Sequence, residues 1–240
     1  MFFPIKDYNP TRKTSYITIT FILINVVVFI YQAMISDLNL NVSKNAMIPW
    51  EITHMKTIEN PVGIEVQDQH GYTQRKLIYR EISPFLTLFT SMFMHGSFFH
   101  LFGNMLFLWI FGNNIEDYLG KIKFILFFLL TGLGASLVHI IFHPNSMIPV
   151  IGASGAVSGV MGAYLILFPT ARVRTLVFVF IFITFVDIPA FIFLIVWFIF
   201  QFLYAGGEGV AWLAHIGGFL IGLFLIKWWR QKKPKVELIE

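Results

Sequence analysis

The chain has 240 residues, of which 57% are hydrophobic and 12% are charged, and this balance excludes an ordinary soluble domain of its size. The 17 Lys and Arg outnumber the 13 Asp and Glu to give a net charge of +4. These charges lie mostly near the two ends, which indicates membrane topology and argues against nucleic-acid binding. Cysteine is absent, so disulfides, thiol nucleophiles and cysteine-bound metals are excluded.

Six apolar runs predict six transmembrane helices, because about 20 apolar residues are needed to cross a bilayer. In chain order they cover 16–35, 98–111 with an apolar lead-in from Phe85, 124–142, 150–168, 188–204 and 210–229. The charged segment 36–84 is expected to form a long outer loop. We therefore predict an all-α membrane protein, a six-transmembrane-helix bundle over 16–229 between a tail at 1–15 and a basic tail at 230–240.

The apolar stretch 173–204 is too long for one untilted helix. Asp187, two residues before Pro189, is typical of a helix N-terminus, so the fifth span is placed at 188–204 with Asp187 as its cap. Residues 173–186 would then form an interfacial or partly inserted connection. The alternative is one long, tilted and kinked helix.

Lysine and arginine near the helix ends predict the orientation of the bundle. Basic residues occur in both tails and after the second and fourth spans, whereas the loops at 143–149 and 204–209 contain none. With six spans, all the basic segments fall on one side of the membrane. We expect both termini in the cytoplasm and the segment 36–84 outside.

Polar side chains in three predicted spans lie at one level. Asn104, Ser154 and His215 are each four to six residues into a span that enters from the outer side, which places them roughly 6–9 Å below the outer boundary. His100 lies on the same helix face as Asn104 because it precedes it by four residues. Polar groups at membrane depth are costly and are usually functional.

This set of residues suits acyl-transfer chemistry. A serine hydroxyl needs a base to become a nucleophile, and histidine titrates in the right range, so Ser154 and His215 are the candidate catalytic pair. His100, Asn104 and the backbone N–H of Ser154 are candidate donors to an oxyanion. No acidic residue lies at this depth, which favours a Ser–His dyad over a triad. No zinc-binding spacing is present, and we expect neither a metal nor another cofactor.

Glycines explain how these helices approach one another. Gly152 and Gly155 form a small-residue face around Ser154, and Gly218 and Gly222 do the same beyond His215. Small residues spaced by four allow helix backbones to come close, although such spacing alone usually indicates packing only.

Other interpretations remain open for the same residues. A serine in a helix often bonds its own backbone, and a membrane histidine is also typical of transporters and metal sites. The rival functions are an inactive relative that binds membrane clients and a small transporter or channel. We interpret His95, at the entrance of the second span, as a structural residue that helps to fix the loop.

At these positions the sequence resembles the rhomboid family of intramembrane serine proteases. The motifs are the His-Leu-Phe-Gly-Asn run from His100 to Asn104, the Gly-Ala-Ser-Gly run from Gly152 to Gly155, and the Ala-His-Ile-Gly-Gly run ending at Gly218. The resemblance implies a Ser154–His215 dyad, oxyanion stabilisation by His100 and Asn104, and cleavage of transmembrane protein substrates in the lipid bilayer. It also favours a bacterial-type core in a bacterial inner membrane with the site opening outward.

Two departures from the family pattern concern the site. The Trp-Arg pair often found before the second span is replaced by Leu86 and Thr87, so the outer loop must anchor differently. The aromatic residue that in some members stacks on the catalytic histidine is replaced by Ser158. His215 must then be oriented by another group.

Overall fold

The computed structural model describes residues 2–35, 38–58, 62–67, 73–78, 80, 82–179, 182–203 and 211–229. Three of its helices are long and apolar enough to cross a membrane, namely Tyr16–Ile35, Lys121–Phe142 and Trp212–Trp229. The bent pair Pro84–Phe93 and Phe98–Leu119 makes a fourth if it counts as one span, and two shorter apolar helices complete the bundle. The predicted helical membrane bundle is confirmed.

The helices follow one another along the chain with short strands at three places. The helical elements are α1 Tyr16–Ile30 with a π-turn Tyr31–Ile35, α2 Leu38–Asn45, α3 Pro49–His54, α4 Pro84–Thr90, α5 Phe98–Phe107 with a π-turn Leu108–Gly112, α6 Asn113–Leu119, α7 Lys121–Phe142, α8 Ser154–Leu167, α9 Ala190–Leu203 and α10 Trp212–Trp229. The strands are β1 Phe2–Asp7, β2 Val62–Gln67, β3 Thr73–Ile78, β4 Arg172–Val179 and β5 Phe182–Pro189.

Helix α8 lies at the centre of the bundle and packs directly on α10. A Cβ placed on Gly218 would overlap the carbonyl oxygen of Gly155, and one placed on Gly222 would overlap that of Gly159. The two helices therefore touch through their backbones, as the glycine pattern predicted. Gly155 also faces Ala135 of α7 so closely that a side chain would not fit between them.

The second span begins at Phe98 as predicted, but its lead-in and the start of the fourth span differ from the prediction. The lead-in from Phe85 forms the separate helix α4, and the chain bends by 78° before α5 begins at Phe98. The fourth span begins at Ser154 rather than near Val150. Gly152 has φ = +123°, which is not helical, and its N–H donates to Ser91 O (2.9 Å), so the helix cannot extend further towards the N-terminus.

The connection between α8 and α9 contains two paired strands, so the alternative of one long kinked helix is wrong, while its position at the membrane interface stays a prediction. Strands β4 and β5 pair antiparallel, and β1 adds to the free edge of β4 to give the order β1-β4-β5. Asp187 is not a helix cap, because it lies within β5 and pairs with Arg174 on β4 at 3.4 Å. Both strands are rich in Val, Ile, Thr and Phe, residue types that favour strands.

A buried polar network ties the N-terminal strand to the bundle. Tyr164 Oη near the end of α8 donates to Asp7 Oδ2 at 2.7 Å, and Asn114 Nδ2 donates to the same oxygen at 2.8 Å. Burial raises the pKa of Asp7, and these hydrogen bonds oppose the rise. The end of α8 opposite Ser154 is thus linked to two other parts of the chain, β1 and α6.

The segment between α1 and α4 is anchored by a buried ion pair. Arg80 Nε donates to Glu51 Oε1 at 2.9 Å, and both side chains are fully buried. The same guanidinium donates to the carbonyl oxygens of Ser43 and Ala46, while Ile58 N also donates to Glu51 Oε1. These contacts fix the chain before α4 against α3 and the end of α2.

We predict that Arg80→Met lowers the free energy of unfolding by about 3–5 kcal/mol, because it leaves the Glu51 carboxylate buried without its counter-ion. Chemical unfolding in detergent micelles measures the change. The exposed Lys44→Met, in α2, should change stability by no more than about 0.5 kcal/mol. The double variant Arg80→Met/Glu51→Leu should be more stable than Arg80→Met alone. Equal stability of these two variants would contradict the interpretation.

We predict that Gly218→Ala destabilises the bundle by about 1–3 kcal/mol, because the new methyl group meets backbone rather than a side chain that can move. Gly103→Ala is the matched control, since a Cβ at Gly103 has no atom within 4 Å. Thermal unfolding midpoints of the two variants test this directly. A midpoint for Gly218→Ala equal to that of the control would show that α8 and α10 are not in backbone contact.

Candidate active site

The residues that the sequence analysis proposed for catalysis and for oxyanion binding line one cavity of about 1030 Å³. Ser154, His215, His100 and Asn104 all contribute to its wall. They come from three helices, α8, α10 and α5, whose N-terminal ends lie on the same side of the bundle. Trp197 and Gln201 of α9 complete the wall next to His215.

Ser154 stands at the first position of α8, where backbone N–H groups have no partner within the helix. Gly152, two residues earlier, leaves the space between Ser154 and His100 open. A Cβ on Gly152 would lie 2.8 Å from His100 Nε2 and 3.7 Å from Ser154 Oγ. Only glycine suits this position, on account of both its φ and its neighbours. The arrangement brings the hydroxyl, free N–H groups and the His100 ring to one end of a helix dipole.

Ser154 and His215 come close because of the glycine contact between α8 and α10. Ala214, the residue before His215, has its carbonyl oxygen 3.8 Å from the place of a Cβ on Gly155, the residue after Ser154. Among the residues that the structure describes, no hydrogen bond joins Ser154 Oγ to His215. The two side chains share a cavity wall, and His215 is half-buried.

His215 is held from α9, an element to which the sequence analysis gave no role in the site. Its Nδ1 lies 2.8 Å from Gln201 Oε1. The Trp197 ring lies beside the imidazole, with ring centroids 6.2 Å apart and planes 35° apart. The sequence shows Gln201 as the one polar residue in the run from Ala190 to Leu203, but it does not show that His215 is its partner.

Asn104 is buried and both hydrogens of its amide are engaged. Nδ2 donates to the carbonyl oxygen of His100 at 3.1 Å and to His95 Nε2 at 3.1 Å. His95 is fully buried, and its backbone N–H donates to Gln32 Oε1 of the first helix at 3.1 Å. The interpretation of His95 as a residue that fixes the loop fits this position.

Ser158 does not reach His215. Its Oγ donates to the carbonyl oxygen of Ser154 at 2.6 Å, one helical turn earlier.

Two further histidines, His139 and His143 near the end of α7, line the same cavity, with ring centroids 4.9 Å apart. Within the described part of the chain, no group of three or more metal-binding side chains occurs.

The comparisons with known proteins agree with the motifs. A family model described as the rhomboid domain matches residues 83–231. The chain is 31% identical over 161 residues to Rhomboid protein 1, mitochondrial, of Saccharomyces cerevisiae, which is 61% of this chain and 42% of that protein. It is 29% identical over 168 residues to RHOMBOID-like protein 6, mitochondrial, of Arabidopsis thaliana, covering 67% of this chain and 54% of that protein.

A bacterial relative matches over a shorter region. Rhomboid protease GluP of Bacillus subtilis is 37% identical over 78 residues, which is 32% of this chain and 15% of that protein. The chain thus aligns with about half, or less, of the length of these relatives. Mitochondrial and bacterial names both occur among them, so the bacterial membrane stays a prediction. The matched domain takes in the helices that carry the motifs, and the chain belongs to the rhomboid family of integral membrane proteins.

Proposed function

We propose that this protein is an intramembrane serine endopeptidase in which Ser154 is the nucleophile and His215 the general base. One observation carries the proposal: a serine at the start of α8 and a histidine on α10 line one cavity and come from helices in backbone contact. The Bacillus subtilis relative is named a protease, and the rhomboid family includes serine proteases.

The chemistry follows from the atoms in the cavity. Ser154 Oγ attacks the carbonyl carbon of a peptide bond while His215 Nε2 accepts the hydroxyl proton. The imidazolium then gives this proton to the leaving amine, and an acyl-enzyme remains on Ser154. Water enters the cavity and loses a proton to His215 as its oxygen attacks the acyl carbon. The bond from this carbon to Ser154 Oγ then breaks, the imidazolium returns its proton to Oγ, and the second product leaves.

The negative charge of the tetrahedral intermediate develops where donors are available. The free N–H groups at the start of α8 point along the helix dipole towards it. The His100 ring lies beside Gly152, close to the nucleophile. Asn104 joins these donors when one of its two present hydrogen bonds is exchanged. Removing one such donor typically costs about 2.7–4 kcal/mol of transition-state stabilisation.

Transmembrane segments of other proteins are the proposed substrates, and the lipid bilayer is where they are met. Phe107 of α5 packs on Phe193 of α9, with ring centroids 6.2 Å apart, and both Phe107 and Trp197 of α9 border the cavity. We propose that a substrate enters laterally between α5 and α9. Its segment must unwind there, because a helix hides the carbonyl carbon from attack.

We predict that Ser154→Ala keeps its unfolding midpoint and loses all cleavage of a model single-pass substrate in proteoliposomes, because it removes the nucleophile and adds no bulk. A fluorophosphonate probe should label the wild type at Ser154 and should fail with both Ser154→Ala and His215→Ala.

Ser158→Ala is the matched control for this experiment, since it removes a hydroxyl one turn further along the same helix. It should keep probe labelling because that hydroxyl serves only the backbone. Wild-type cleavage by Ser154→Ala would refute the assignment. A wild-type protein that binds transmembrane segments but neither cleaves them nor reacts with the probe would favour an inactive binding relative.

A further inference from the structure

We infer that Gln201 is the positioning residue of the base, holding His215 with its proton on Nδ1 so that Nε2 is free to accept the serine proton. This inference rests on the proposed function. None of the described residues beside His215 is acidic, and position 158 is a serine rather than an aromatic residue, so another group must orient the imidazole. Gln201 is that group in this inference. Neither the family match nor the relatives' names assign a role to this glutamine.

The direction of the Gln201 amide is fixed by its own helix. Nε2 donates to the carbonyl oxygen of Trp197, four residues earlier, at 3.0 Å. A carbonyl oxygen can only accept, so the amide nitrogen must face Trp197 and Oε1 must face the histidine. Because Oε1 also only accepts, His215 Nδ1 must carry the hydrogen of the 2.8 Å bond. The lone pair of the neutral ring is then on Nε2.

The surroundings make this bond difficult to replace. Gln201 is only 8% exposed, so a competing water has little access to its amide. Trp197 lies one turn away on the same face of α9, and its ring packs both beside His215 and on Phe219, with 6.0 Å between the Trp197 and Phe219 centroids. The hydrogen bond fixes which nitrogen is protonated, and the indole limits rotation of the ring.

A purely structural interpretation would treat Gln201 as a polar contact between two membrane helices. Such contacts hold helices together and act on stability. That interpretation predicts no effect on the protonation site of His215 and no rescue that depends on an acceptor at position 201. The two interpretations therefore differ in measurable ways.

The test compares two substitutions of similar length in full-length protein. Gln201→Met removes the acceptor and should lower kcat roughly ten- to hundredfold with little change in KM, because a buried N–H loses its partner. Gln201→Glu keeps an acceptor and should recover at least part of kcat. It should also move the acid limb of the pH–rate profile to higher pH, since a carboxylate beside the imidazole favours its protonated form. Ile199→Met, on the exposed face of α9, is the control for methionine in this helix.

A second readout does not require activity. In protein labelled with ¹⁵N-histidine, the His215 signals are identified by their loss in His215→Gln. The wild type and Ile199→Met should show the Nδ1–H form, and Gln201→Met should show a mixture or the Nε2–H form. If the wild type proves inactive while the protonation site still follows residue 201, the proposed function fails, whereas the assignment of the Nδ1–H form of His215 to its bond with Gln201 stands.

Two results would overturn the inference. One is an unchanged Nδ1–H signal and unchanged kcat in Gln201→Met. The other is an equal loss of kcat in Gln201→Met and Gln201→Glu together with equally lowered unfolding midpoints, which would leave Gln201 a packing role only.

Discussion

The backbone contact between α8 and α10 is the constraint on which the rest of the structure depends. Gly155 and Gly159 of one helix face Gly218 and Gly222 of the other, and no side chain fits between them. A serine side chain is short, so it approaches a histidine on a neighbouring helix only if the two backbones are this close. In a bilayer the hydrophobic effect does not favour helix–helix contact over contact with lipid. Close van der Waals packing therefore has to hold the helices together.

Helix α9, which is more exposed than α8, completes the site. One face of α9 is exposed, with Ile195, Ile199 and Phe202 each at least 44% accessible, while the opposite face carries the two side chains that flank His215. Any displacement of α9 from α10 would remove the Gln201 hydrogen bond and the Trp197 ring together. If substrates enter beside α9, the base is fully oriented only when this helix has returned to its place. Entry and chemistry would then be separated in time by one moving element.

The sequence was sufficient to predict the helices and to single out residues that line one cavity, because apolar length and rare polar exceptions are local signals. It was insufficient where an apolar run had no periodic marker: residues 172–189 are as hydrophobic as a span but form a hairpin, since hydrophobicity alone does not separate a buried strand from a helix. The start of α8 depends on the φ of Gly152 and on a bond to Ser91. The partners of Gln201 and Arg80 are distant in sequence, so only the assembled fold reveals them.

If Asn104 stabilises an oxyanion, as proposed, its present hydrogen bonds determine how it is prepared for that role. Its bond to the His100 carbonyl is local to α5, whereas its bond to His95 Nε2 is a neutral contact of 3.1 Å between two side chains. An oxyanion is a charged acceptor, and hydrogen bonds to charged groups are about twice as strong as neutral ones. The developing negative charge therefore outcompetes the His95 ring for the same amide hydrogen. His95 is fully buried and is held through its backbone by Gln32, so it keeps its place when that hydrogen leaves. In the proposed mechanism Asn104 is therefore kept oriented before the reaction and becomes a donor to the oxyanion only as negative charge develops on the substrate carbonyl oxygen.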